Sequence, residues 1–152
     1  MRLTNTLRQW LKDQEWNEQP EINEEKQTSS TGFNYKVAEF DLRCFFEINE
    51  KTEICKLYMY YFDTKAPESR IEAVQKFILG SNEIFSIGNI QLTPNERSIR
   101  FYAAIDVEDA SFEPAHITNL INAGIGTLNQ VLPKFMAICF GGKTAEEMLE
   151  DE

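Results

Sequence analysis

The chain has 152 residues, enough for one domain with a substantial core. Hydrophobic residues make up 42% and charged residues 26%, which is not the composition of a disordered chain. The formal net charge is −10, which argues against nucleic acid as a partner, because phosphate binding draws its affinity from neutralising cations.

Leu3, Leu7, Trp10 and Leu11 recur at helical spacing and predict an amphipathic N-terminal helix. From Asp13 to Gly32 the chain turns polar and acidic, with too little apolar surface to offset ordering entropy. Residues 1–32 therefore read as a helix followed by an acidic flexible connector, and residues 33–152 as a single domain with an acidic C-terminal tail. The stretch "MRLTNTLRQWLKDQEW" has no long apolar region and no small-residue cleavage site. No segment approaches the roughly 20 apolar residues that span a bilayer. The expectation is a cytoplasmic protein without membrane contact.

Phe33, Tyr35 and Val37 alternate as a strand, and the phase changes at Ala38-Glu39, which marks a turn or bulge. Phe40, Leu42, Cys44, Phe46 and Ile48 alternate on even numbers, and Cys55, Leu57, Met59 and Tyr61 on odd ones. A two-residue turn at Glu50-Lys51 sets Phe46 opposite Cys55 and Cys44 opposite Leu57, with both apolar sets on one face. Pro67-Glu68 opens a helix with the stripe Ile71, Val74, Ile78 and Phe85, which Gly88 ends. Gly80 within it marks a close packing contact. Ile90 and Leu92 form a short strand, and Ile99 to Val107 a clear alternating one. Ser111 is placed to cap a final long helix, with Pro114 in its first turn and Pro133 as a kink. Gly124 and Gly126 leave a smooth patch on that helix for another backbone.

The order α-β-β-β-α-β-β-α defines an α+β fold, an antiparallel five-stranded sheet packed with helices.

Catalytic signatures fail inspection. Gly142-Lys143-Thr144 ends like a phosphate-binding loop, but Ala137 stands where the first glycine belongs, and a helix precedes it instead of a strand. The glycines read better as a helix stop, with Thr144 and Glu147 as a capping box. His116 is the sole histidine, and Cys44, Cys55 and Cys139 have neither zinc-ligand spacing nor a disulfide framework. No catalytic residue, metal or cofactor is expected.

One constellation stands out. If the even positions of the second strand face the core, its outward face carries Asp41, Arg43, Phe45 and Glu47. The matching faces carry Lys56, Tyr58, Tyr60 and Phe62 on the third strand, and Arg100 and Tyr102 on the fifth. Rings interleaved with cations resemble the anchors of protein interfaces, and also single-stranded nucleic-acid platforms. Cover by the chain's own first helix is the alternative to a protein interface, and the net charge places nucleic acid last.

From Phe40 onward the chain resembles the bacterial YbjN-like family of sensory transduction regulators. The passages are "LYMYYFDTKAPESRIEAVQKFI", "SNEIFSIGNIQL", "SIRFYAAIDVE" and "LPKFMAICFGGKTAEEML". The resemblance implies a type III secretion chaperone-like fold. It also implies a small, often dimeric, non-enzymatic protein that binds other proteins as adaptor, regulator or chaperone-like factor. A small-ligand binder or enzyme with a pocket between sheet and helices is the second expectation, and single-stranded nucleic-acid binding the third. A homodimer contact is expected on the helix from Pro67 or on the glycine patch.

Overall fold

The structure, a computed structural model, describes residues 1–150, so Asp151 and Glu152 of the acidic tail lie outside the described residues. The elements are α1 (Arg2–Asp13), β1 (Glu21–Asn23), β2 (Thr28–Val37), β3 (Phe40–Asn49), β4 (Ile54–Tyr61), α2 (Ile71–Ser81), β5 (Asn89–Leu92), β6 (Ile99–Asp106), α3 (Pro114–Phe140) and α4 (Ala145–Glu150). A 3-10 turn, Glu68–Arg70, leads into α2. The strands form one six-stranded sheet in the order β1-β2-β3-β4-β6-β5, antiparallel throughout.

The α+β class stands, but the sheet has six strands where the sequence predicts five. The segment read as a flexible connector holds β1 and the first half of β2. It has no apolar period because its inward positions are small and polar. Ser29 and Thr31 are buried, and Thr4 Oγ1 of α1 shares a 2.7 Å hydrogen bond with Ser29 Oγ. Backbone pairing with β3, rather than burial of apolar side chains, holds this stretch as a strand.

The β3–β4 register also differs from the sequence expectation. Phe46 lies opposite Leu57, Cys44 opposite Met59 and Ile48 opposite Cys55. A two-residue hairpin turn favours glycine or asparagine at positive φ, and Glu50-Lys51 offers neither. The loop instead spans residues 50–53. Asn49 Oδ1 accepts from the N–H groups of Lys51 and Thr52, and Glu53 takes the left-handed conformation. A slip of two residues preserves faces, so the core assignment survives.

All four helices belong to one side of the sheet, over a core that includes Phe33, Phe46, Leu57, Met59, Phe77, Phe101 and Phe135. Leu3, Leu7, Trp10 and Leu11 of α1 are buried, with Trp10 against the rings of Phe33 and Phe46. The start of α1 has no local side-chain cap. The Glu50 carboxylate, from the β3–β4 loop, accepts from the N–H groups of Leu3 (2.8 Å) and Thr4 (3.1 Å) and from the Thr4 hydroxyl (3.0 Å). An anion at the positive end of the helix dipole satisfies donors that the helix leaves unpaired.

In α2 the inward residues are Val74, Phe77 and Ser81, and the helix ends at Ser81, well before Gly88. Phe77 carries the burial that the sequence reading assigned to Phe85, which is only partly buried. Gly80 is a close contact as expected: an added Cβ would meet Leu149 of α4 at 2.6 Å. Glu113, not Ser111, caps α3. Pro114 at the first helical position fixes the start and holds Glu113 extended. His116 Nδ1 accepts the Glu113 N–H at 2.8 Å, which gives the histidine a structural part in the cap.

The helix α3 runs through Pro133 without interruption. Gly124 faces inward, where an added Cβ would strike Met59 and come within 2.9 Å of Phe101, whereas Gly126 faces open space. The glycine patch is thus divided: one residue seats the helix on the sheet, and the other is free. Gly142 supplies the left-handed stop, and the Glu147 N–H reaches Thr144 Oγ1 at 3.1 Å, as the capping-box reading expects.

Candidate protein-interaction face

The strands alternate, so every residue not turned to the helices is turned to the opposite face. Among the described residues no helix covers that face. The first helix lies on the core side, which removes intrachain cover by α1 from the readings of the outward rings. Arg43, Phe45, Lys56, Tyr58, Tyr60, Phe62, Arg100 and Tyr102 all share the outward face, partly buried by one another, with Phe62 at 43% exposure.

Register arranges them in transverse rows. One row crosses five strands as Asn34, Arg43, Tyr60, Arg100 and Gln91. The next reads Gly32, Phe45, Tyr58, Tyr102 and Asn89. The rings touch within and between rows. Tyr60 and Phe62 stack at 4.7 Å and 11°, Tyr58 and Tyr102 lie 5.1 Å apart, and Phe45 meets Tyr60 edge-on at 5.8 Å. The Arg43 guanidinium sits 4.9 Å from the Phe45 centroid, and that of Arg100 sits 5.1 Å from Tyr58 and 5.5 Å from Tyr60. Cation–π contact fixes the cations over the rings.

Neutral partners orient both guanidiniums. Arg100 donates from Nε to Gln91 Oε1 (2.5 Å) and from NH1 to the Tyr60 hydroxyl (2.9 Å), and Arg43 donates to Asn34 Oδ1 (3.3 Å). Burial holds the Tyr58 phenol above its ordinary pKa. The charge of Glu47 and the neighbouring Tyr102 add to the rise, and Arg100 opposes it.

The sequence reading missed Asn34, Gln91 and Gly32. Asn34 and Gln91 were visible as the polar alternates of their strands, but nothing in the sequence tells that they face arginines. Gly32 makes room, since a Cβ there would approach the Arg43 guanidinium to 2.6 Å and the Phe45 ring to 3.0 Å. Its assignment to the connector hid it.

Two surface grooves flank the aromatic rows. One of about 680 Å³ lies beside Lys56 and is lined by Glu21, Ser30, Glu47 and Asn49 among others. The other, about 470 Å³, lies beside Arg43 and Phe62 and includes Lys36 and Asp41. Among the described residues no group of three His, Cys, Asp or Glu is placed to hold a metal ion, and no helix is long and apolar enough to cross a membrane.

No protein-family profile matches the sequence. No curated protein matches it either. Solved structures do. A chain in the crystal structure of the ExsC–ExsE complex superposes with a TM-score of 0.58 at 10% identity, covering 83% of this chain and 90% of that one. An uncharacterized protein from Methanothermobacter thermautotrophicus superposes with a TM-score of 0.57 at 15% identity, covering 90% of this chain and 98% of that one. At such identities the likeness concerns the fold. It supports the chaperone-like α+β architecture that the sequence resemblance implies.

Proposed function

We propose that the protein is a non-enzymatic protein-binding module, an adaptor, regulator or chaperone-like factor of the YbjN-like kind, working in the cytoplasm. The observation that carries this reading is the uncovered outward face, with its stacked tyrosines and ring-mounted arginines. Aromatic and Arg side chains are the usual anchors of binding energy at protein interfaces. The partner-binding residues are Arg43, Phe45, Lys56, Tyr58, Tyr60, Phe62, Arg100 and Tyr102. Two further observations support it. The space between sheet and helices is filled by side chains rather than left as a pocket for a small ligand. One fold neighbour comes from a structure of a two-protein complex, ExsC–ExsE.

A homodimer through the outer side of α2 fits the same reading. Leu79 is 74% exposed there, and Ile84 and Ile87 in the following loop are also exposed. Sedimentation of wild type beside Leu79→Glu tests it: a dimer that the substitution splits supports the contact, and a strict monomer removes it.

The main test is affinity capture from the native cell, with an Arg43→Glu, Tyr60→Ala double variant as control. Partners retained by wild type and lost by the variant are expected. Identical partners for both proteins would remove the outward face from the binding reading.

A further inference from the structure

We infer that the outward face is built for an acidic protein segment, one that presents two separated carboxylates with an apolar group between them. This rests on the protein-binding reading above and narrows the partner's chemistry.

The inference starts from the charges on the face. Asp41 lies directly across from Lys36, and Glu47 directly across from Lys56. These two carboxylates, in the rows on either side of the aromatic ones, thus each have a lysine on the neighbouring strand, while Glu21 and Asp63 line the flanking grooves. Arg43 and Arg100 do not follow this pattern. Their hydrogen-bond acceptors are an amide, another amide and a phenol. Among the described residues neither forms an ion pair. Two cations without a carboxylate partner therefore sit in the middle of a face on a chain of net charge −10. Screening limits the reach of the remaining charge to about 8 Å at physiological ionic strength, so the local cations decide what docks there.

Geometry adds a second constraint. The neutral bonds use one N–H of Arg43 and two of Arg100 and hold each guanidinium beside a ring, which leaves further N–H groups to form a fork to a carboxylate. Arg43 and Arg100 stand two strands apart in one row, with Tyr60 between them. Adjacent strands are about 4.8 Å apart, so the two backbone positions are separated by about 10 Å. Acids two helical turns apart, at about 1.5 Å per residue, match that backbone separation better than acids one turn apart. Between the arginines the partner meets Tyr58 and Tyr60, whose rings suit an aliphatic or aromatic side chain.

The probe is a labelled synthetic peptide that carries two Glu residues two helical turns apart with Leu and Tyr between them, beside a twin with Gln in place of Glu. Binding to the full chain is read by fluorescence anisotropy, and fold integrity of each variant by thermal melting. The Glu peptide is expected to bind at least about tenfold more tightly than its Gln twin. Arg43→Gln or Arg100→Gln is expected to weaken it about tenfold, in line with loss of a charge-assisted hydrogen-bonded pair. Arg100→Lys keeps the charge without the planar fork and is expected to restore part of the loss.

Equal binding of both peptides at this face overturns the acidic-partner inference and leaves the protein-binding reading intact. Binding of neither peptide overturns the inference as well. Salt-sensitive binding of oligothymidylate to wild type, lost in the same arginine variants, overturns both.

Discussion

The two faces of this sheet are made by the same strands from alternate residues, and both carry rings, yet the mix of rings and their surroundings differ. The inward face takes Phe33, Phe46 and Phe101, all at most 1% exposed. The outward face takes Tyr58, Tyr60 and Tyr102 beside Phe45 and Phe62, with Arg43 and Arg100 among them. Phenylalanine has no polar atom to satisfy and suits a dry core. Tyrosine and arginine combine an apolar body with a group that must stay in contact with water or with a partner. Ring content alone therefore does not distinguish a core from an interface. What distinguishes them is the polar group each ring or neighbour carries.

The sharpest way to break that contrast is to truncate one ring on each side. Phe101→Ala is expected to cost about 3–5 kcal/mol in urea unfolding, because the cavity lies beneath α3. Tyr58→Ala is expected to change stability by about 1 kcal/mol or less, because that ring already meets solvent. If the two losses are equal, the outward rings are a second core.

A smaller effect is expected at the helix cap. Glu50→Ala leaves the Leu3 and Thr4 N–H groups without their acceptor, and should cost about 0.5–2 kcal/mol and raise amide exchange through α1. A matching loss at the free edge is expected for Asn82→Ala. The Asn82 amide bonds both the N–H (2.8 Å) and the C=O (2.9 Å) of Ile90, and so fills the place of a further strand beside β5. About 1–3 kcal/mol is expected, with faster exchange at Ile90 and concentration-dependent association through the uncovered edge.

The thiols and phenols give a third comparison. Burial pushes Cys44 and Cys55 up to about 12 and Cys139 up to about 11. Thiolate is the reactive form, so a disulfide reagent should leave all three untouched at neutral pH until the chain unfolds. On the outward face the Tyr58 pKa is raised, while Arg100 pulls it down. Arg100→Gln should therefore shift the tyrosinate absorbance of Tyr58 to still higher pH. The linkage has a definite sign. With the folded value above the unfolded one, the associated stability is intact below the unfolded pKa and is lost as pH rises through the folded pKa.

The smallest effect is expected at the Lys76–Glu146 pair between α2 and α4. The two groups raise and lower each other's pKa through their hydrogen bond, but both are open to solvent. Glu146→Gln should leave the urea midpoint unchanged within error.

Much of this arrangement was legible in the chain. Strict alternation in residues 40–48 and 55–61 named both faces, and the outward set followed without knowledge of the pairing register. A slip of two residues did not disturb it, since side chains repeat every two. The pairing itself was not legible. It depends on an Asn49 side chain folding over a four-residue loop, a contact with no periodic signature. Strand β1 was hidden for a related reason: Glu21, Ile22 and Asn23 are all exposed, so no burial pattern marks them. The arginines were visible as residues. Their carboxylate-free setting was not, because Asn34 and Gln91 come from strands far apart in sequence.

The Glu50 cap also bears on the order in which the molecule assembles. Helix α1 precedes in the chain everything that holds it. Its first amides wait for a loop 47 residues on, and its Trp10 indole N–H waits for Thr118, 108 residues on. Arg2 closes the same seam on the carbonyls of Val107 and Ala110. Contacts so distant in sequence carry loop-closure entropy and form late. The helix earliest in the chain is thus expected to dock late, and pulse-labelled amide exchange in which α1 gains protection before β3, β4 and α3 would refute that order.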